Sequence, residues 1–370
     1  MGKIATAYRS ENKANMSSSE VSSRPGIQFG LSLPNRAVLF GLPAEELIEA
    51  GVSAENTGLF GSLWVGDNLL SKPRLESVVT LTALAMRTHL VRLGTISMAT
   101  FAMRNPVFFA AQWASLDLVS GGRTILSVCN GGAASASPRH AAELAVTGVA
   151  SNERVARLEE GIEIVRRCWA DGTATYNGTF YQFEDIEVLP KPAQPKIPII
   201  IAVSPAADKP KIEERALRRV ARLADGWQTV FEPVDRIARR WQDIQRYADE
   251  YGRAGEIGHL SQHIMIKIDD DADRGMADGT RFLRKYYGEK SWQTSAQYLP
   301  NFLAAGPPSQ IADWITRRID AGVNVPVVRF VDIDQDTQLE RFCAEVVPSI
   351  ARHADISRVE PTPSAQLARG

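Results

Sequence analysis

The chain has 370 residues, 44% of them hydrophobic and 23% charged, with a formal net charge of −1 at pH 7, which is the composition of a globular protein with a large core. No basic cluster indicates a nucleic-acid partner, and no apolar run is long enough to cross a membrane. Three widely separated cysteines predict neither a disulfide framework nor a zinc site, so we expect a cytoplasmic protein.

Both ends of the chain are polar. Residues 1–25 are rich in serine, and residues 354–370 carry Pro361 and Pro363 among polar residues. Neither segment has enough apolar surface to offset the entropy of ordering it. We therefore predict two disordered tails around one folded unit at 26–353.

Short apolar runs alternate with segments of helical periodicity between these tails. The predicted strands are 27–33, 61–65, 90–97, 123–129, 197–203, 226–230, 260–268 and 323–331. Helices are predicted at 43–56, 105–119, 151–170 and 308–321. Many strands are continuously apolar, which is typical of a parallel sheet covered by helices on both faces. The alternation allows a closed barrel or a doubly wound sheet, and eight strands favour the barrel.

Two insertions interrupt the alternation. Residues 173–189 contain Asn177-Gly178 between aromatic and β-branched residues, a strong hairpin signal. The same residues begin a glycosylation sequon, but the turn interpretation is favoured because no secretion signal is visible. The second insertion, 287–306, is rich in aromatic and small residues, and we predict a lid over the active face.

Chemistry in such a barrel is expected where strands end. The polar or glycine residues at the predicted strand ends are Asp67, Asn68, Ser97, Asn130, Gly131, Gly132 and Ser204. Their amides, hydroxyls and backbone N–H groups suit a polar heterocycle and a phosphate. Each also has a purely structural interpretation, as a cap or a turn. His140 lies in the predicted loop after the fourth strand, either as a general acid–base group or as an exposed loop residue.

Motif searches exclude several enzyme classes. The sequence contains no phosphate-binding loop, no G-x-G-x-x-G dinucleotide fingerprint and no G-x-S-x-G elbow. His259 and His263 are four residues apart, but on a strand that separation is about 13 Å. We therefore predict no metal site.

Several segments, in order and spacing, resemble the luciferase-like monooxygenase superfamily over residues 27–352. The segments that carry the resemblance are Trp64–Leu69, Leu93–Thr95, Leu116–Arg123, Leu189–Pro192 and Arg219–Trp227. The resemblance implies a (β/α)8 TIM barrel of the luciferase-like α/β class, with insertions at its C-terminal face, and a homodimer. It also implies FMN or coenzyme F420 as cofactor, a cis peptide at Ile96–Ser97, and cofactor contacts from Asn130–Gly132 and Ser204.

Two departures from the family pattern concern the deazaflavin members. Many of them have a histidine after the aspartate of the second strand, where this chain has Asn68, which cannot titrate. That proton-transfer role is lost or moves, with His140 as the candidate. The loop after the fourth strand also lacks the glutamate of some deazaflavin alcohol dehydrogenases. Both changes weaken a sugar-phosphate dehydrogenase interpretation.

We predict a flavin-dependent oxidoreductase, specifically a monooxygenase that uses reduced FMN and oxygen on a small organic substrate. A separate flavin reductase is the expected partner, because the chain has no nicotinamide fingerprint. Asp67, Asn68 and His140 are the candidate catalytic residues, and Asp67, Ile96 and Ser97 are expected to contact the cofactor. The alternatives are hydride transfer with coenzyme F420 and a non-catalytic flavin-binding barrel.

Overall fold

Eight parallel strands form a closed barrel in a computed structural model, which describes residues 26–288 and 296–359. The barrel strands are β1 (Phe29–Leu33), β2 (Phe60–Asp67), β3 (Arg92–Met98), β4 (Thr124–Val128), β7 (Ile199–Ala202), β8 (Gly226–Thr229), β9 (His259–Ile268) and β11 (Val325–Phe330). Their order around the barrel is β1-β2-β3-β4-β7-β8-β9-β11, and pairing of β11 with β1 closes it. The eight predicted strands and the TIM-barrel architecture are confirmed.

Helices lie between the strands on the outside of the barrel. The longer ones are α1 (Ala44–Asn56), α2 (Ser77–Arg87), α3 (Pro106–Val119), α4 (Pro138–Val146), α5 (Arg154–Trp169), α6 (Pro210–Leu223), α7 (Val234–Glu250) and α8 (Ala272–Tyr287). Four more are α9 (Leu299–Phe302), α10 (Pro308–Asp320), α11 (Gln335–Arg341) and α12 (Val347–Ala351). Their starts follow local chemistry: the Asn105 side chain caps α3, and Pro106 occupies its first turn.

The barrel interior is filled at its lower end by large apolar side chains. They form one cluster of Trp64, Ile96, Ile125, Ile200, Val325 and Val327. A second and larger core lies between the strands and the helices. Packed side chains therefore seal this part of the interior, and the barrel opens at the carboxyl-terminal ends of its strands.

The segment Leu116–Arg123 has a structural function at the opposite end of the barrel. The Arg123 guanidinium donates hydrogen bonds to the carbonyls of Ala85, Thr88 and Val91, at distances between 2.8 and 3.0 Å. The Asp117 carboxylate accepts from the Thr124 hydroxyl at 2.6 Å. These bonds lie where β3 and β4 begin, so they stabilise the barrel and take no part in the chemistry.

Both predicted insertions differ in detail from expectation. Residues 174–186 form the predicted hairpin from β5 (Ala174–Asn177) and β6 (Gln182–Ile186). Asn177 pairs with Gln182, so a four-residue loop replaces a tight Asn-Gly turn. In the second insertion, residues 303–306 are not part of a lid: they form strand β10 (Leu303–Gly306), which pairs in parallel with the end of β9. Residues 289–295 lie outside the described residues.

The ends of the folded unit also differ from expectation. Residues 354–359 were assigned to a disordered tail, but Ile356 forms a parallel bridge with Ile27. The Ile27 N–H donates to the Asp355 carbonyl at 2.8 Å, and the Val359 N–H donates to the Gly58 carbonyl at 2.9 Å. Backbone hydrogen bonds therefore order this polar segment, although it has little apolar surface. The tails 1–25 and 360–370 lie outside the described residues.

Candidate active site

A cavity of about 340 Å³ opens at the carboxyl-terminal ends of the barrel strands. It brings together five of the predicted site residues: Asp67, Asn68, Ile96, Ser97 and Ser204. It is also lined by Arg329 of β11 and by His263, considered above only as a metal ligand. The sequence had assigned no role to the other polar and aromatic lining residues, which are Lys72, Arg74, Cys129, Gln228, Thr229, Phe231, Tyr287 and Phe302. The lining does not include four of the predicted residues, all of which follow Cys129 in the sequence: Asn130, Gly131, Gly132 and His140.

The floor of the cavity is the end of β3. The peptide bond between Ile96 and Ser97 is cis, as the resemblance implied. Ile96 belongs to the apolar cluster below, whereas Ser97 faces the cavity beside Cys129. Burial raises the pKa of the Cys129 thiol, although a hydrogen bond with Ser97 opposes that shift. The thiol is therefore protonated near neutral pH and unsuited to nucleophilic chemistry.

Asp67 is held by the protein on both carboxylate oxygens. One oxygen accepts hydrogen bonds from the Thr100 N–H at 2.8 Å and the Thr100 hydroxyl at 2.7 Å. The other accepts from the Ser77 hydroxyl at 2.8 Å and from Arg104 at 3.3 Å. Only 5% of Asp67 is exposed. These contacts favour a positioning role at the end of β2, and a direct contact of Asp67 with a ligand remains a prediction.

Asn68 is likewise engaged by its neighbours. Its side-chain N–H donates to the Ser71 hydroxyl at 3.0 Å, and its carbonyl accepts from Arg74 at 3.2 Å. The amide therefore fixes the loop that carries Lys72 and Arg74. Asn68 lines the cavity, but it has no proton to exchange there.

The glycine loop after β4 has the close contacts expected of a backbone cradle. Gly131 has a φ of 62°, and a Cβ there would lie 2.5 Å from the Ala99 carbonyl oxygen. A Cβ on Gly132 would lie 2.1 Å from the His140 ring. Arg154 donates hydrogen bonds to the carbonyls of Asn130 and Gly131 at 2.8 and 2.7 Å. The glycines are therefore required by packing, and a contact with a ligand remains a prediction.

His140 lies in the first turn of helix α4 and not in a loop as predicted. Ser137 caps this helix and accepts a hydrogen bond from the His140 N–H at 3.3 Å, while its hydroxyl lies 2.8 Å from His140 Nδ1. Burial lowers the pKa of His140, and the nearby Lys72 lowers it further. The ring packs on Gly132 outside the cavity lining, which does not favour the predicted catalytic role.

Helix α4 also holds the loop after β2. The buried Glu143 carboxylate accepts hydrogen bonds from the N–H groups of Leu69 and Leu70, at 2.6 and 3.0 Å. The same helix therefore contacts the glycine loop through His140 and the basic loop through Glu143.

One side of the cavity is neutral. We name the set Ser97, Gln228, Thr229 and Ser204 the neutral half. The Gln228 carbonyl accepts from Ser127 at 3.0 Å, and the hydroxyls of Ser204 and Thr229 lie 2.9 Å apart. This half is built on β3, β7 and β8, with β4 between them, and its polar groups are hydrogen-bonded within the protein.

The other side of the cavity is basic. We name the set Lys72, Arg74, Arg329 and His263 the cationic half. Arg329, which is 2% exposed, donates to the hydroxyls of Ser32 and Tyr286. Within residues 26–288 and 296–359, none of its three cations forms an ion pair with a carboxylate. Burial lowers the pKa of Lys72 to about 8, and the charges of Arg74 and Arg36 add to that effect.

His263 is a buried histidine without a hydrogen-bond partner on Nε2 among the described residues. It is 7% exposed, and its ring meets the edge of Phe302 with 6.4 Å between centroids. Burial lowers its pKa well below the usual value, and the charges of Arg329 and Arg74 act in the same direction. The imidazole is therefore neutral at physiological pH. The described residues contain no group of histidine, cysteine and acidic side chains that could hold a metal ion.

Aromatic rings close the remaining wall. Phe231 and Phe302 lie with their centroids 4.5 Å apart, next to Tyr287. Phe231 has a φ of 59°, a left-handed conformation that costs a bulky residue free energy and is concentrated at functional sites. The wall therefore gives this side of the cavity an apolar surface. Among the described helices, none has the length and apolar character needed to cross a bilayer.

Comparison with known proteins gives consistent results. The model of the luciferase-like monooxygenase family matches residues 27–324. A protein named F420-dependent glucose-6-phosphate dehydrogenase from Amycolatopsis mediterranei (strain U-32) is 28% identical over 340 residues, covering 82% of this chain and 94% of that protein. The protein of the same name from Kineococcus radiotolerans is 27% identical over 326 residues, covering 82% and 92%.

Solved structures share the fold. An F420-dependent secondary alcohol dehydrogenase in complex with an F420-acetone adduct superposes with a TM-score of 0.74 at 18% identity, covering 88% of this chain and 99% of that one. The coenzyme F420 dependent tetrahydromethanopterin reductase from Methanopyrus kandleri gives 0.67 at 19% identity, covering 88% and 100%. At these identities the likeness concerns the fold alone.

Proposed function

Because the chain belongs to the luciferase-like monooxygenase family, we propose that it is an oxidoreductase that transfers a hydride between coenzyme F420 and a small organic substrate. The observation that carries this proposal is the near full-length similarity to proteins named as F420-dependent dehydrogenases. It favours the hydride-transfer alternative over the FMN monooxygenase that the sequence suggested first. The separate flavin reductase belongs only to the monooxygenase interpretation.

The residues present fit a flat, phosphate-bearing cofactor. The glycine loop follows Cys129 of the cavity lining, and at Gly131 and Gly132 it has no side chain that would keep a phosphate away from the backbone. Ser97 and Gln228 offer neutral hydrogen-bonding groups on the cavity floor and side. We assign the glycine loop, Ser97 and Ser204 as the groups that would hold the cofactor. When bound, it supplies a ring carbon that accepts or gives up a hydride.

The chain's own residues would bind and orient the reactants. The wall of Phe231 and Phe302 excludes water from the reacting carbon. Asn68 holds the basic loop in place and transfers no proton. His263 lines the cavity, and its Nε2 has no hydrogen-bond partner among the described residues. It can therefore accept a hydrogen bond from the substrate or donate one to it.

A pair of binding titrations tests the cofactor. We expect coenzyme F420 to bind at least ~10-fold more tightly than FMN, about 1.4 kcal/mol or more of difference. We also expect no oxygen uptake with reduced FMN. Tight FMN binding with oxygen consumption would restore the monooxygenase interpretation. Binding of either cofactor without turnover on a broad panel of alcohols, aldehydes and enones would support the non-catalytic barrel.

We also propose that the protein is a homodimer. Large apolar side chains lie exposed on the neighbouring helices α2 and α3, including Val79 at 69% and Phe108 at 68%. Such side chains on adjacent helices are typical of a protein–protein contact. Sedimentation of the wild-type chain and of Phe108→Asp measures this: the wild type should sediment as a dimer and the variant as a monomer with an unchanged far-UV spectrum. A wild-type monomer would contradict the proposal.

A further inference from the structure

The cationic half of the cavity carries positive charge that the neighbouring acids do not neutralise. Lys72 and Arg74 follow β2, and Arg329 projects from β11 into the same cavity. The chain as a whole is nearly balanced, with 42 basic and 43 acidic residues. Positive charge is therefore concentrated in this cavity, although basic and acidic residues are almost equal in number over the whole chain.

The nearest carboxylates are committed to other donors. Glu143 accepts from the N–H groups of Leu69 and Leu70, and Asp67 accepts from Ser77, Thr100 and Arg104. The Lys72 ammonium has an aromatic neighbour instead, since it lies 4.9 Å from the centre of the Tyr287 ring. An aromatic face stabilises an ammonium ion without cancelling its charge.

One buried arginine elsewhere in the chain shows how a cation can be neutralised within this protein. Arg240, which is fully buried on the outside of the barrel, pairs with both Glu213 and Glu232. Burying a charge without a partner costs free energy, so buried cations in proteins are normally paired. Among the three cations of the cavity, Arg329 is buried and Lys72 and Arg74 are half-buried, and none has a carboxylate partner among the described residues.

We propose that the cationic half binds an oxyanion group of the substrate, a carboxylate or a phosphate. This inference rests on the proposed function and names the chemical class of its substrate: a small organic acid or phosphate ester. His263 supports it independently, because a buried imidazole without a partner on Nε2 faces the same cavity. It would donate a hydrogen bond to the anion or to a neighbouring hydroxyl.

The barrel order separates this site from the proposed cofactor site. The cationic half lies on the consecutive strands β9, β11, β1 and β2, where β1 contributes Ser32 as a partner of Arg329. The proposed cofactor contacts lie on β3, β4 and β7 and their loops. An anion on the cationic half would therefore belong to the second reactant, with its uncharged end directed toward the cofactor.

Calorimetric titration of the full chain tests the site without a cofactor. The probes are inorganic phosphate and acetate, which separate the two oxyanions, and glucose as a neutral control. We expect at least one oxyanion to bind in the millimolar range and glucose not to bind. Lys72→Met, which keeps the length of the side chain, should weaken that affinity at least ~10-fold. The exposed Lys211→Met on α6 is the matched control and should have no effect.

Two results overturn the proposal: no binding by either oxyanion, or equal binding by wild type and Lys72→Met. Arg74→Gln serves as a second variant if Lys72→Met fails to fold. The outcome is independent of the cofactor experiment. If coenzyme F420 binds but the oxyanions do not, the function stands and the anion site is lost; the reverse result removes coenzyme F420 and keeps the anion site.

Discussion

The two halves of the cavity differ in whether the protein itself neutralises their polar and charged groups. In the neutral half, Gln228 bonds with Ser127, and Ser204 bonds with Thr229. In the cationic half, Lys72 lies over the Tyr287 ring with no carboxylate partner among the described residues, and His263 has a ring nitrogen without a hydrogen-bond partner there. A surface that is satisfied internally is preorganised for a ligand of fixed shape. A surface whose charges lack a counter-ion is stabilised most when a ligand of opposite charge binds, so we expect the cationic half to distinguish between substrates.

Asp67 lies at the junction of the two halves, so its removal should have the largest effect. Asp67→Ala leaves the hydroxyls of Ser77 and Thr100, the Thr100 N–H and an Arg104 contact without their acceptor. We expect a loss of about 2–4 kcal/mol of stability and weaker binding in both halves. Chemical denaturation and the two titrations above measure this. Asp67→Asn, which keeps one acceptor, should lose less; full stability in the alanine variant would refute the positioning role.

Gly131→Ala sharpens the comparison, because it should affect the neutral side alone. The added Cβ would lie 2.5 Å from the Ala99 carbonyl at a φ of 62°. We expect a cost of about 1–3 kcal/mol and weaker cofactor binding, with oxyanion affinity maintained. Gly148→Ala is the control, since its φ is 68° but nothing lies within 4 Å of the added atom. Similar cofactor affinities in both variants would remove the glycine loop from the site.

The pH dependence of oxyanion binding tests the cationic side alone. The pKa of Lys72 is lowered to about 8 in the free protein, and a bound anion would raise it. With acetate as the probe, whose own charge does not change in this range, affinity should be constant from neutral pH to pH 8 and fall above it, by up to ~10-fold per pH unit. Burial and the positive charges of Arg74 and Arg36 lower the pKa of Lys72, whereas Cys129 and Glu143 raise it.

Lys72→Met provides the reference for that profile. Its acetate affinity should be lower than that of the wild type and should not change between pH 7 and pH 9.5, because the titrating ammonium is gone. An unchanged decline in the variant would assign the titration to another group.

His263→Leu should produce the smallest effect and the most informative one. Replacing an unpartnered buried polar group with an apolar one of similar size is neutral or stabilising, by up to about 1 kcal/mol. Oxyanion affinity should fall several-fold at the same time. Calorimetric melting and the oxyanion titration give the two numbers. A loss of stability with unchanged affinity would mean that His263 is a structural residue.

The sequence predicted the barrel because strands buried on both faces are continuous apolar runs, as at Ile199–Ala202. It did not predict β10, because Leu303–Gly306 is four residues long and follows a helical turn. The start of α4 was missed although Ser137-Pro138 is a standard cap and first turn. That error placed His140 in a loop and gave it a role that its position on Gly132 does not favour.

The sequence also predicted some residues of the candidate site and missed others. Residues at strand ends, such as Ser97 and Ser204, could be found because a parallel barrel gathers strand ends at one rim. Lys72 and Arg74 could not, because the direction of a loop side chain depends on hydrogen bonds such as those of Asn68 and Glu143. His263 was considered only together with His259 as a metal pair. Its inward direction follows from the register of β9, which the sequence alone does not fix.

Helix α4 contacts the loops of both proposed binding sites, so binding at one site can affect binding at the other. The helix rests on the glycine loop through His140 and fastens the basic loop through two backbone N–H groups. A molecule that steadies the first loop therefore reduces the entropy still to be lost by the second. Binding of one reactant then raises the affinity for the other. Because binding free energies are coupled reciprocally, the two affinities change by the same factor.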